Sequence, residues 1–281
     1  MPADENGAMP EGDTIFRTAE VLRRALLGRR VTTARAQAGP GVRRVPDLSP
    51  LVGATVAAVA TRGKHLLIGF DNGLTLRSHL RMRGSWHRYR PGERWRLPAH
   101  RATVVLETPE AVAVAFDTPV VELLTDAGLR RSRPLRDLGP DLLGSNFDPD
   151  EALRRLRDRD GDQLGIALLD QRAIAGIGNV VKSEVAFMER MDPWASVGSF
   201  DDDQLRAAIA TARRVLRANT GGGARSTTRS RAPGAQLWVY SRAGRPCRSC
   251  GTIIQSARQG ELARTTYWCP RCQAPAMPRS G

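Results

Sequence analysis

Ile15, Ala19, Leu22 and Leu26 recur three or four residues apart, which puts them on one face of a helix that Gly28 brings to an end. From Val31 to about Leu129 the period shortens towards two. The runs Thr55 to Ala60, His65 to Phe70, Leu74 to Leu80, Ala102 to Glu107 and Val112 to Phe116 predict strands, with Asp71-Asn72-Gly73 predicting a type I′ hairpin turn. Strands at this spacing with no helical pattern between them predict a β-sandwich or barrel. Arg94 to Arg101, rich in Arg and Pro, reads as a surface loop.

Residues 134–149 hold prolines, glycines and polar side chains with little periodicity, as a linker would. The pattern then turns helical: Asp150 to Arg159, a second helix ending near Gln171, a third from Gly178 to about Glu189, and a fourth over Asp201 to Ala218. The fourth has acids in its first turn and arginines in its second half, which suits the helix dipole. Gly221 to Ser230 reads as mobile. The expected organisation is α+β and multidomain: residues 1–8 an extension or misassigned start, 9–133 a β-sandwich with an N-terminal helix, 134–149 a linker, 150–235 a helical domain and 236–281 a finger.

The finger rests on the cysteines. Cys247 and Cys250 form one Cys-x-x-Cys knuckle, Cys269 and Cys272 another, and the chain has no other cysteine. Two knuckles at this separation can close four thiolates around one zinc ion in a structural site with no open coordination position. The alternative is two disulfides in an exported protein; nothing at the N-terminus resembles a signal peptide, which favours zinc and a cytoplasmic, nucleoid-associated location. Between the knuckles, Thr252 to Gln255 and Leu262 to Trp268 predict strands around a turn at Ala257 to Glu261. Arg258 and Arg264 on this hairpin suit a phosphate backbone.

Charge narrows the partners. A formal net charge of +14 and a pI near 11.1 point to a polyanion. No apolar run is long enough to span a membrane, and nothing in the sequence suggests an oligomer, so a monomer is expected. Of the 43 basic residues only Lys64 and Lys182 are lysine; an ammonium in an arginine-dominated chain marks places where a compact amine matters, or chance. Ala175-Gly176-Ile177-Gly178-Asn179, between two predicted helices, exposes amide groups at a helix start and offers an anion site; many such turns only connect. Pro10, Glu11 and Asp13 on their own read as ordinary helix-start residues.

Five motifs in register over roughly Met9 to Gln273 resemble the formamidopyrimidine-DNA glycosylase and endonuclease VIII family: Met9-Pro10-Glu11-Gly12, Arg62-Gly63-Lys64-His65-Leu66, Ser78-His79-Leu80-Arg81-Met82, Leu169-Asp170-Gln171 with Gly176-Ile177-Gly178-Asn179, and Arg264-Thr265-Thr266-Tyr267-Trp268-Cys269. The resemblance implies a β-sandwich joined to a helix–two-turns–helix domain and a zinc finger. It also implies a DNA glycosylase and apurinic/apyrimidinic-site lyase of base-excision repair, acting on damaged double-stranded DNA or on single-stranded or bubble DNA. Pro10 then supplies a secondary amine that attacks the deoxyribose, Glu11 acts as general acid and base, and Lys64 assists at the neighbouring phosphate. Gly178, Asn179 and Arg264 grip the backbone, and Arg81, Met82 and Arg83 fill the space the base leaves; core packing is the other reading of Met82.

Two features depart from the family pattern. Eight residues precede Met9, and an amide-bonded Pro10 has no free lone pair, so the resemblance implies a start at Met9, a cleaved extension, or a DNA binder without catalysis. Relatives acting on oxidised purines carry an Arg-x-Phe element where this chain reads Thr118-Pro119-Val120-Val121-Glu122. Its absence implies the endonuclease VIII branch and oxidised pyrimidines, with oxidised purines as the alternative. A zinc-ribbon protein of the RNA or transcription machinery is the rival from another class.

Overall fold

The structure is a computed structural model that describes residues 10–38, 45–230 and 232–274. The expected extension at residues 1–8 and the last part of the expected finger, 275–281, lie outside the described residues. Two compact units meet in sequence between Asp137 and Leu138.

The first unit begins with helix α1 (Gly12–Leu26), whose buried stripe of Ile15, Ala19, Leu22 and Leu26 is the one the periodicity predicts. Strands β1 (Thr33–Ala36), β5 (Ser85–Tyr89), β6 (Ala102–Glu107) and β7 (Val112–Phe116) form one antiparallel sheet in the order β1-β6-β7-β5. Strands β2 (Val56–Arg62), β3 (His65–Phe70), β4 (Leu74–His79) and β8 (Val120–Thr125) form the other in the order β2-β3-β4-β8. Val59, Ile68 and Leu76 from one sheet meet Trp86, Val104 and Ala115 from the other in a single core that α1 completes. The Arg94 to Arg101 segment is more than a surface loop: its Trp95 and Leu97 cover the outer face of the first sheet against Tyr89, Val105 and Phe116. With both faces covered, β7 is buried throughout, which explains an unbroken apolar run where alternation would mark a half-exposed strand.

The Asp71-Asn72-Gly73 connection is a hairpin turn of a different kind from the one expected. It spans three residues and only Gly73 has a left-handed φ (+75°), whereas type I′ needs two such residues. Asn72 instead donates to Pro50 O at 2.9 Å and accepts from Leu74 N at 3.2 Å.

Short helices α2 (Asp126–Arg131) and α3 (Arg133–Arg136) end the first unit. The second contains α4 (Pro149–Arg157), α5 (Leu164–Ala167), α6 (Asn179–Met188) and α7 (Asp202–Ala218), followed by the hairpin β9 (Gln255–Gln259) and β10 (Arg264–Trp268). Asp201 caps α7 with a full capping box to Gln204. The 134–149 segment is no free linker: Gly139 N donates to Gln171 O, Ala175 N to Pro140 O and Leu142 N to Ala175 O, and Leu142 is buried in the helical core. Residues 139, 140 and 142 spend these backbone groups on partners some thirty residues on, which leaves little local periodicity to read there. A Cβ at Gly139 would lie 2.3 Å from Ala173 O, so only glycine permits this approach.

The second predicted helix stops at Ala167. Two turns follow, braced by Gln171, whose Nε2 donates to Leu169 O (2.8 Å) and Ile177 O (3.0 Å) while its Oε1 accepts from Gly176 N. The segment expected to be mobile at 221–230 is tied down in its second half: Asn219 pairs with both backbone groups of Ser226, and Thr227 donates to Glu184. The finger hairpin turns later than expected, at Gly260 to Ala263, both left-handed. β9 is polar and mostly exposed, so no apolar alternation reveals it.

Candidate functional site

In the first unit, Glu11 occupies the N-cap position of α1 in extended conformation, with its carbonyl accepting from Ile15 N at 3.0 Å. Its side chain is buried, as is that of Asp13, while Pro10 immediately before it is partly exposed. A buried carboxylate next to a partly exposed imino acid at a helix start is more than capping requires.

Lys64 sits in the two-residue turn between β2 and β3, with Gly63 (φ +57°) as the left-handed first residue. The loop of Arg81, Met82 and Arg83 follows β4. Because His65 and His79 are ladder partners, the two loops lie at the same end of the sheet. Gly84 N closes the second loop on Leu80 O, and a Cβ at Gly84 would lie 2.6 Å from that oxygen. Met82 is 47% exposed, so core packing does not account for it.

Beneath these loops lies a cluster that sequence reasoning did not single out. The rings of His65 and His79 meet edge to face at 4.7 Å. Arg77 donates to His65 Nδ1 at 3.0 Å and pairs with Glu122 at 2.7 Å, and the Arg81 amide donates to His79 Nδ1 at 3.1 Å. Burial, then the charges of His79, Arg77, Arg81 and Arg62, push His65 down to about 3; burial, then Arg81 and Lys64, push His79 down to about 4. Both rings are therefore neutral at pH 7, with the acceptor lone pair on Nδ1. The only signal in sequence was a histidine at each end of one β-hairpin.

In the second unit, Gly178 precedes α6 and Asn179 is its first residue. Asn179 Nδ2 donates to Thr265 O at 2.7 Å, which brings the turn motif and the finger strand together beside Arg264. Arg258, exposed on β9, donates from Nη1 to Ala263 O at 2.9 Å and braces the hairpin turn. Glu184 of α6, which the sequence reading passed over, is fully buried and accepts from the amides of Trp238, Val239 and Tyr240, each at 2.8 Å, and from the Thr227 hydroxyl. Together with the stacking of Phe187 on Trp238, this carboxylate fastens the lead-in to the finger.

The four cysteines converge. All four Sγ atoms lie within 4.8 Å of one another, with Cys247 to Cys272 at 3.9 Å and Cys250 to Cys269 at 3.5 Å. These separations are far beyond a disulfide bond and close to the edge, about 3.8 Å, of a tetrahedron of sulfurs around zinc. Cys247 and Cys269 are buried against Val239, Ile254 and Phe187. The residues fit one structural zinc ion.

A β-sandwich led by a Pro-Glu helix start, two helices joined by two turns, and a four-cysteine hairpin define a zinc-finger, DNA-binding repair enzyme. Three family models match in succession: the formamidopyrimidine-DNA glycosylase N-terminal domain over residues 9–119, the H2TH domain of the same glycosylases over 138–230, and the zinc finger found in FPG and IleRS over 244–275. The chain is 45% identical to the "Probable endonuclease 8 2" of Streptomyces coelicolor over 97% of both chains. It is 43% identical to the "DNA-(apurinic or apyrimidinic site) lyase Nei2" of Mycolicibacterium smegmatis over 94% of this chain and 99% of that one. Its fold superposes on Lactococcus lactis formamidopyrimidine-DNA glycosylase, solved non-covalently bound to DNA containing an abasic site, with TM-score 0.80 at 21% identity, covering 94% of this chain and 99% of that one. The chain belongs to the formamidopyrimidine-DNA glycosylase and endonuclease VIII family of DNA glycosylases and apurinic/apyrimidinic-site lyases.

Proposed function

We propose that this enzyme removes oxidised bases, pyrimidines foremost, from duplex DNA and cuts the strand at the resulting site, with Pro10 as nucleophile. The observation that carries the reading is the head of α1: Pro10, partly exposed, stands next to the buried Glu11 at the start of the region matching the glycosylase domain. The reading requires the Pro10 nitrogen to be an unacylated terminus. A secondary amine there titrates near the α-amino value of about 8, leaving an appreciable free-base fraction at neutral pH.

The nitrogen lone pair forms a bond to C1′ of the deoxyribose. The base departs with the electrons of its glycosidic bond and takes up the proton that the amine nitrogen sheds; Glu11 gives a proton to the ring oxygen as the C1′–O4′ bond breaks and the nitrogen's freed electron pair completes the iminium. The resulting iminium acidifies the C2′ proton; when Glu11 takes that proton, the 3′-phosphate leaves with the electrons of its C–O bond. Elimination on the 5′ side can follow, and hydrolysis of the iminium by water frees the amine. Lys64 pairs with the phosphate at the lesion. Gly178, Asn179 and Arg264 grip the flanking backbone, and Met82, between Arg81 and Arg83, occupies the space left in the stack. The zinc ion shapes the finger and takes no part in these steps.

Pyrimidine preference rests on the absence of the Arg-x-Phe element and on the endonuclease 8 relatives. An enzyme acting this way works on nucleoid DNA, as a monomer. Borohydride trapping tests the reading. Protein whose mature N-terminus has been established by intact mass is incubated with an abasic-site duplex and reductant. A covalent adduct is expected for wild type and its loss for Pro10→Gly; an adduct unchanged by that substitution overturns the assignment. A panel of lesion duplexes in the same assay orders the substrates.

A further inference from the structure

Helix α6 carries a buried amine that the chemistry above does not use. Lys182 is 0% exposed, and its Nζ donates to Thr266 Oγ1 on β10 at 2.7 Å. The Thr266 hydroxyl donates to Gln259 Oε1 at 2.6 Å, and Gln259 Nε2 donates to Gln163 Oε1 at 3.0 Å and Pro193 O at 2.8 Å. The donors run one way, from the ammonium to a main-chain carbonyl, so each group has a defined partner. Gly165 makes room for it: a Cβ there would lie 2.3 Å from Gln259 Oε1.

Burying an ammonium is costly unless its partners are well placed. This chain uses arginine for all but two of its 43 basic residues, yet here it places a lysine. A hydroxyl acceptor suits a compact point donor better than a planar fork.

The network surrounds Arg264. Strand alternation puts Arg264 and Thr266 on one face of β10. The residue between them, Thr265, accepts from Asn179, and the ladder partner of Arg264 is Gln259. Residues 265, 266 and 259 are thus all tied to the helical part of the unit. We propose that Lys182 is a positioning residue for DNA binding: it locks the register of the finger strand on α6, so that Asn179 and Arg264 address the backbone as a preset pair. This rests on the reading above that those two residues contact DNA phosphates.

Lys182→Met removes the donor while keeping most of the volume, and Thr266→Val removes the acceptor from the hairpin side. In zinc-loaded, DNA-free Lys182→Met, amide hydrogen exchange over residues 264–268 should quicken about tenfold, because the strand opens locally more often. The Kd for a duplex carrying a tetrahydrofuran abasic analogue should rise about tenfold and its salt slope lose about one phosphate contact. Abasic-site cleavage at saturating enzyme should stay within about twofold of wild type, since the lost interaction serves binding rather than the chemical step. Thr266→Val should shift exchange and binding the same way, and the double variant should fall short of the sum of the two single effects, since the residues share the Nζ–Oγ1 bond. Wild-type exchange and affinity in Lys182→Met overturn the proposal; if that variant loses zinc or unfolds, wild-type values in Thr266→Val overturn it instead. A wild-type protein that fails to cleave or be trapped on abasic DNA sinks the proposed function, while the exchange data still decide what Lys182 holds.

Discussion

The two units hold their functional groups by opposite means. In the first, Pro10 and Glu11 adjoin in sequence, Lys64 sits in a two-residue turn and Arg81 to Arg83 in a loop closed by Gly84. Local backbone geometry does the placing. In the second, Asn179 and Lys182 reach partners 86 and 84 residues away on the finger, and Glu184 reaches the segment that leads into it. The first arrangement depends on its own few residues of backbone; the second spreads its demands over buried side chains whose partners lie far along the chain.

Substitutions at the two sites should therefore fail differently. The largest effect belongs to Glu11→Gln, which keeps the N-cap backbone but removes the proposed general acid and base. Base excision in single-turnover assays should fall by ~10²–10⁴ with DNA affinity little changed. Retention of full activity would detach the first site from the chemistry. Cys269→Ser, or zinc removal by a chelator, should release the metal and weaken duplex binding on the order of 100-fold, about 3 kcal/mol, while the first unit keeps its own unfolding transition. If zinc loss left affinity intact, the finger would be ornamental to binding. Arg264→Ala should cost about tenfold in affinity and flatten the log Kd against log salt plot by about 0.9, the share of one phosphate. An unchanged slope would remove Arg264 from the interface.

The same contrast explains what could be read in advance. The cysteine spacing, the stripe of α1 and most of the central strands were legible because metal geometry and periodicity are short-range properties. The Pro10-Glu11 pair was legible only as a helix start until its resemblance to a known family gave it chemistry, because the reactivity of that nitrogen depends on its covalent state. The 134–149 segment looked like a linker because Gly139, Pro140 and Leu142 hydrogen-bond to Gln171 and Ala175, distant partners that no local pattern reveals. Lys182 was noticed only as a compositional oddity and Glu184 not at all, since partners some fifty to ninety residues away leave no local trace. The His65–His79 cluster was missed because two histidines on neighbouring strands meet only once the register is known.

Glu184 offers the finest test of that long-range attachment. Burial pushes its carboxyl above the ordinary carboxylate range, against the hydrogen bonds from Thr227 and the amides of residues 238–240 that pull it down. An acid whose folded pKa lies above its unfolded value binds its proton more tightly when folded. Its contribution to stability is therefore fully present below the unfolded pKa and is lost as pH rises through the raised one. Glu184→Gln has no proton to lose, so its unfolding free energy should change less steeply with pH from the ordinary carboxyl value upward, a difference that denaturant titrations at several pH values would resolve. The amide also presents one oxygen where the carboxylate presented two, leaving part of the 238–240 nest unmet. The variant should accordingly be destabilised by about 1–3 kcal/mol, with hydrogen exchange quickening first at Trp238 to Tyr240. Parallel pH profiles for variant and wild type would show that folding leaves the protonation of this side chain unshifted and would overturn the upward push from burial.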